Sequence, residues 1–153
     1  MKEKINGIAF ITFIIGVAAS VMIFLPAIRY ENIDTVYSGF QVTFGVEIVD
    51  IGIATGQLEF NFLALLAYGL PVIAGILLMF SKKAALISML LFVAAAILLF
   101  TLPLYVYATA TGFGGTTDIE IDWVMQYGLM IAGSLSILGV FSSALQTFNN
   151  FRD

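Results

Sequence analysis

Asp118, Glu120 and Asp122 alternate with Ile119 and Ile121. On a strand these three carboxylates would project from one face, about 6.5–7 Å apart. Hard oxygen ligands of this kind suit calcium, and Glu47 and Asp50 are further acidic residues from an earlier segment. The spacing does not continue as an EF-hand loop, because no Gly or Glu stands at the later positions. The simpler expectation is a solvated acidic rim with no metal, Asp118, Glu120 and Asp122 being the candidate ligands should one bind. Other chemistries fail on residue supply. The chain contains no Cys and no His, which removes thiolate nucleophiles, Ser-His-Asp triads, haem ligation and Cys/His zinc sites. No catalytic residue and no cofactor are expected, so the chain reads as non-enzymatic.

The elements that carry these residues follow from composition. Of 153 residues, 61% are hydrophobic and 10% charged, against about 25% charged in an ordinary soluble domain. That is too little charge for a water-facing surface, so the partner expected first is the lipid bilayer. Four apolar runs stand out, at about 5–28, 60–80, 84–107 and 123–146. The first is about 24 residues long, more than a signal-peptide core requires, and is read as an uncleaved helix. None of the four holds an Asp, Glu, Lys or Arg. Ionisable groups inside a membrane mark proton relays and charged-substrate paths. Their absence argues against a proton-coupled transporter and an intramembrane aspartyl protease.

Orientation rests on Ser81, Lys82 and Lys83, a short break between the second and third runs. Paired lysines in so short a turn mark the cytoplasmic side. On that basis Lys2, Lys4, Lys82, Lys83 and Arg152 lie inside with Glu3 and Asp153. Outside, Arg29 alone faces eight carboxylates in segments 29–59 and 108–122. The expectation is a multi-pass plasma-membrane protein with both termini cytoplasmic and no nucleic-acid partner.

Segment 29–59 has strand character. After Val36 and Tyr37 and a turn at Ser38-Gly39, the residues Val42, Phe44, Val46 and Ile48 alternate with Gln41, Thr43, Gly45 and Glu47. The fold class expected is therefore an all-α membrane four-helix bundle carrying a small extracytoplasmic antiparallel sheet from this first outer loop. Phe44 should face inward and Thr43 outward. Segment 108–122 either adds a strand or leads into the last helix. Arg29 should pair with a nearby carboxylate such as Glu31 or Glu59. Tyr30, Tyr105, Tyr107, Trp123 and Tyr127 fall where an interfacial aromatic belt belongs, whereas Tyr68 lies deeper and needs a partner for its hydroxyl. Pro71 predicts a bend in the second helix, structural or hinge-like.

Small residues recur at four-residue spacing. Thr12, Gly16 and Ser20 share one helical face, and Gly128, Ala132 and Ser136 share another. Such faces let backbones approach closely in lipid, within one bundle or between chains. With Val42 and Phe44 of the outer sheet, Gly16, Ser20, Gly128, Ala132 and Ser136 are the candidate interface residues. A homo-oligomer, or association with another membrane protein, is expected. Leu at Gly16 or Gly128 should then weaken association and leave the single chain folded.

This layout resembles the claudin-type tetraspan proteins, with four helices, a long first outer loop, a short inner turn and a shorter second outer loop. The resemblance is one of topology over nearly the whole chain. That family's Trp-Gly-Leu-Trp run and two cysteines are missing from 29–59, so no functional residue carries over, and the cysteine-free composition suits a bacterial relative. What the resemblance implies is association through the outer sheet. The first functional reading is thus a non-enzymatic interaction or scaffold protein. The alternative is a small cation channel or the membrane subunit of a transport system, its acidic mouths attracting cations. Hydroxyls converging on one path, among Thr12, Ser20, Ser88, Thr101, Ser134 and Ser136, would favour the channel. An apolar core beneath an exposed sheet edge would favour the interaction protein.

Overall fold

The computed structural model describes residues 7–32 and 34–152. The basic tip 1–4, the expected helix start at residue 5, and Asp153 lie outside the described residues. Five helices occur: α1 (Gly7–Val21), the short α2 (Gly39–Phe44), α3 (Phe62–Phe80), α4 (Ala85–Phe100) and α5 (Tyr127–Arg152). Single 3-10 turns extend α1 over Met22–Phe24 and flank α4 at Lys82–Ala84 and Leu102–Leu104. Four of these segments are long and apolar enough to cross a membrane: Gly7–Phe24, Phe62–Phe80, Lys82–Leu104 and Tyr127–Arg152. They form a ring in which each long helix packs on its neighbours in sequence, and α1 closes against α5.

The seams are built from small residues and carbonyl-bonded hydroxyls. A Cβ placed on Gly16 would lie 2.2 Å from the Pro71 carbonyl oxygen, so α1 and α3 touch backbone to backbone at that level. Ser20 Oγ donates to the Tyr68 carbonyl at 2.5 Å, four residues further along the same face. On the α4 seam, Ser88 Oγ donates to the Ala74 carbonyl at 2.9 Å and lies 3.1 Å from Ser143 Oγ. Phe92, Leu78 and Leu99 fill the wider places and are fully buried. Close packing of this sort supplies the dispersion contacts that hold helices together where no water is displaced.

Among the described residues seven strands occupy the connections between α1 and α3 and between α4 and α5. They are β1 (Pro26–Tyr30), β2 (Val36–Ser38), β3 (Val46–Asp50), β4 (Ala54–Leu58), β5 (Ala108–Gly112), β6 (Gly115–Ile119) and β7 (Trp123–Met125). Two antiparallel sheets result, ordered β2-β1-β7 and β3-β4-β5-β6. The single sheet expected from 29–59 is thus two, and residues 108–125 contribute to both. Connectivity puts all seven at the end where α1 and α4 finish and α3 and α5 begin, opposite the Lys82–Lys83 turn. One apolar core runs through both layers, from Leu99, Ala132 and Ala67 in the helices to Ile28, Leu58 and Ala108 in the strands. Sheets and bundle therefore fold as one body.

The elements depart from the sequence expectation at the ends of three apolar runs and, as a further kind of difference, in segment 39–44. The first apolar run does not stay helical to residue 28. Pro26 forces Leu25 into an extended conformation (φ −88°, ψ 161°), and the chain enters β1 with proline as its first residue. Ala27 and Ile28 are apolar because that strand is buried, which hydropathy cannot distinguish from a helix. The third run likewise leaves the helix at Leu104. The fourth begins as strand β7, and its helix runs past the expected end at 146 to Arg152.

The remaining difference concerns 39–44, which is helix and not strand. Ser38 caps it: its Oγ accepts from the Gln41 amide at 3.3 Å, and Gln41 Oε1 accepts from the Ser38 amide at 2.9 Å. This reciprocal Ser-x-x-Gln capping box satisfies two otherwise free donors. The helical turn then buries Val42 and Thr43 together and turns Phe44 outward. Phe44 joins a row of rings, 4.6 Å from Phe40 and 6.3 Å from Phe60 between centroids, with Phe40 stacked on Phe24. The inward Phe44 and outward Thr43 of the alternating reading are therefore exchanged.

Candidate functional site

An open cleft of about 550 Å³ separates the two sheets. Tyr30, Tyr37 and Trp123 form the wall from the three-stranded sheet. They come together because Ile28 pairs with Tyr37 and Tyr30 with Trp123 across three adjacent strands. Trp123 meets Tyr30 at 6.4 Å and Tyr37 at 5.8 Å, both edge-to-face. The indole N–H is spent on the Val106 carbonyl at 3.1 Å, which locks the ring. Burial pushes the Tyr37 phenol above its ordinary pKa, so it stays neutral at physiological pH. The facing wall is aliphatic, with Ile48, Val49, Ala110 and Ile119, and Glu120 stands on the lining beside Ile121. The volume and the mainly apolar lining with few polar groups are those of a small-molecule pocket.

This cleft was not visible in the sequence as a site, although its aromatic members were. Tyr30 and Trp123 line it as a cross-strand pair. Trp123 opens the fourth apolar run, read as helix, and Tyr30 stands just past the first; the β-propensity of these short aromatic segments was the signal that could have found them.

The acidic residues do not gather. β3, with Glu47 and Asp50, and β6, with Asp118, are opposite edges of the four-stranded sheet, about 14 Å apart at ordinary strand spacing. Strand β6 ends at Ile119, and Glu120 and Asp122 belong to the crossing between sheets. Asp118, Glu120 and Asp122 thus share no strand face, and no group of three carboxylates among the described residues is placed to hold a metal ion. Arg29 pairs with a nearby carboxylate, that of Asp34 at 3.5 Å, and stands opposite Val36 in the β1–β2 register. Glu59 instead accepts from Thr109 Oγ1 at 3.3 Å.

The candidate interface residues divide. Gly16, Ser20, Gly128, Ala132 and Ser136 pack within the chain's own bundle: a Cβ on Gly128 would lie 2.5 Å from the Pro26 carbonyl oxygen, and Ser136 donates to the Ala132 carbonyl at 2.9 Å. A second chain could reach these faces only by displacing a helix or β1. Val42 is buried on the inner face of α2, and Phe44 is exposed. Among the described residues the hydroxyls of Thr12, Ser88 and Thr101 bond to helix carbonyls or to hydroxyls of a neighbouring helix. Thr12 bonds to the Ile8 carbonyl and to Ser142 Oγ, Thr101 to the Ile97 carbonyl, and Ser134 is exposed on the perimeter. Tyr68 is buried, and its hydroxyl has no hydrogen-bond partner among the described residues. Asn61 was missed by the sequence reading. It caps α3 by accepting from the Ala64 amide, donates from Nδ2 to the Tyr105 carbonyl, and its amide donates to the Thr43 carbonyl.

Comparison with protein-family models, with curated proteins and with solved structures finds no match to this chain.

Proposed function

We propose that the chain is a non-enzymatic membrane interaction protein, in which the four-helix bundle anchors a two-sheet unit that pairs with a second copy or another membrane protein. The observation that carries this reading is strand β6, exposed at all five positions from Gly115 to Ile119 at the free edge of a four-stranded sheet. Such an edge offers unpaired backbone donors and acceptors and is a template for another chain. The hydroxyls support it over the cation channel, because those inside the bundle bond to carbonyls or to one another. The small-residue faces are spent internally, so the association proposed uses the sheet edge. It is the mode of contact that the claudin-type layout implies.

The proposal includes an orientation in the plasma membrane, with both termini and the Lys82–Lys83 turn cytoplasmic and the sheets outside. Labelling of intact cells with an impermeant maleimide is expected to modify Gly114→Cys, where an added Cβ meets nothing within 4 Å, and to spare Ser81→Cys. Outside labelling of Ser81→Cys would reverse the orientation.

Pairing at the edge is tested by cross-linking in membranes through Thr117→Cys. Adding Thr116→Lys, a charge on the edge, is expected to cut the cross-linked dimer several-fold with unfolding unchanged. A wild-type chain that stays monomeric at high density in the bilayer, or a lysine without effect, would sink the edge-pairing reading.

A further inference from the structure

We propose that the cleft between the sheets is a binding site for a lipophilic organic cation, a molecule with an apolar or aromatic body and one amine, quaternary ammonium or phosphonium centre. The site is independent of the edge pairing, since the cleft lies between the sheets and not along β6's free side. Three properties of the cleft select this chemistry.

Its size comes first. About 550 Å³ of open volume falls within the range of pockets that enclose a small molecule, and the walls of Ile48, Val49, Ala110 and Ile119 offer an apolar body a dry surface. The aromatic wall is the second property. Tyr30, Tyr37 and Trp123 are held as one edge-to-face group, and aromatic faces attract cations that have shed part of their hydration. An organic cation sheds it more readily than a metal ion does.

The third property is charge. Glu120 lies on the lining, and the Glu31 amide bonds to the Asp122 carbonyl at 3.2 Å, which puts two more acidic residues beside the Tyr30–Trp123 pair. The only basic residue among the described ones at this end, Arg29, is not on the cleft lining; Lys82, Lys83 and Arg152 belong to the opposite end. A fatty acid or other amphiphilic anion would therefore meet Glu120 and no cation on the cleft walls. A neutral apolar ligand would leave Glu120 unused. An apolar cation matches walls and rim together.

The test uses the full-length chain in nanodiscs of zwitterionic phosphatidylcholine. Tetraphenylphosphonium is titrated, free probe is measured by equilibrium dialysis, and the emission of Trp123, the chain's single tryptophan, is followed in parallel. Saturable uptake with a matching change in emission is expected, above the linear partitioning seen with empty discs. Tetraphenylborate, of the same shape and opposite charge, should show partitioning alone. Glu120→Gln should weaken the cation about fivefold, the size of one partly exposed ion pair. Ala110→Phe, whose ring would occupy the cleft, should abolish saturation; near-UV circular dichroism of Trp123 checks that the sheets persist. Equal saturable binding of both ions would overturn the proposal, since the site would then select only apolar bulk. Absence of saturable cation binding to a correctly folded chain would overturn it as well. Neither result bears on cross-linking at β6, so the two proposals fail separately.

Discussion

Gly16→Leu is expected to unfold the single chain and not merely part it from a neighbour. The α1 backbone at Gly16 sits so close to α3 that even a methyl group would lie 2.2 Å from the Pro71 carbonyl oxygen and 2.9 Å from its carbon. Neither atom can swing aside as a flexible side chain would. Pro71 is inside α3, so the atoms in the way belong to helix backbone and move only if that stretch of α3 shifts. The helices must separate, and the Ser20–Tyr68 bond on the same seam is lost with them. Overpacking commonly costs about 1–3 kcal/mol; a leucine against fixed backbone belongs at or beyond the top of that range. Gly69→Leu is the control, because Gly69 lies in α3 with open space around its Cβ position. Unfolding titrations with sodium dodecyl sulfate in mixed micelles should show Gly16→Leu largely unfolded and Gly69→Leu close to wild type. A folded Gly16→Leu chain with reduced cross-linking would return Gly16 to an interface between chains.

The contrast explains which parts of the fold could be read from sequence. Hydropathy found the four apolar runs because about 20 consecutive apolar residues have few other uses, and the short turn at Lys82 follows from their spacing. It failed at the ends of the runs, where Ala27 and Ile28 are strand residues buried in the shared core and Val124 and Met125 pair across to β1. Apolar strand and apolar helix look alike in composition, and the local signal that separates them, Pro26, was outweighed by the length of the run. The small-residue faces were legible as close-packing faces, but their spacing carries no record of whether the partner helix belongs to the same chain. The cleft was least legible of all. Its two walls come from sheets whose strands are interleaved along the chain, so no contiguous motif encodes it.

The segment 39–44 gives the sharpest test of that lesson, because two readings of the same residues predict opposite orders. Alternation over 41–48 makes Phe44 the buried position. The capping box at Ser38 and Gln41 makes the segment helical and buries Thr43 instead, at 0% exposure against 49% for Phe44. In the helix Thr43 Oγ1 donates to the Gly39 carbonyl at 2.8 Å, and its own carbonyl receives the Asn61 amide at 2.9 Å. Thr43→Asp would set a carboxylate against that Gly39 carbonyl with no donor in reach. A buried charge left without its partner costs about 3–5 kcal/mol, and protonation of the new carboxyl relieves only part of it. Loss of α2 would also release Asn61, and with it the tie from α3 to Tyr105. Phe44→Asp removes ring contacts with Phe40 and Phe60 at a half-exposed position, a loss of about 1 kcal/mol. Thr43→Asp is therefore expected to shift the unfolding midpoint far more than Phe44→Asp. Thr43→Ser, which keeps the hydroxyl, should recover most of the difference. If Phe44→Asp proved the more damaging, the alternating strand would be the correct description of 40–48, and the capping box would be an accident of sequence.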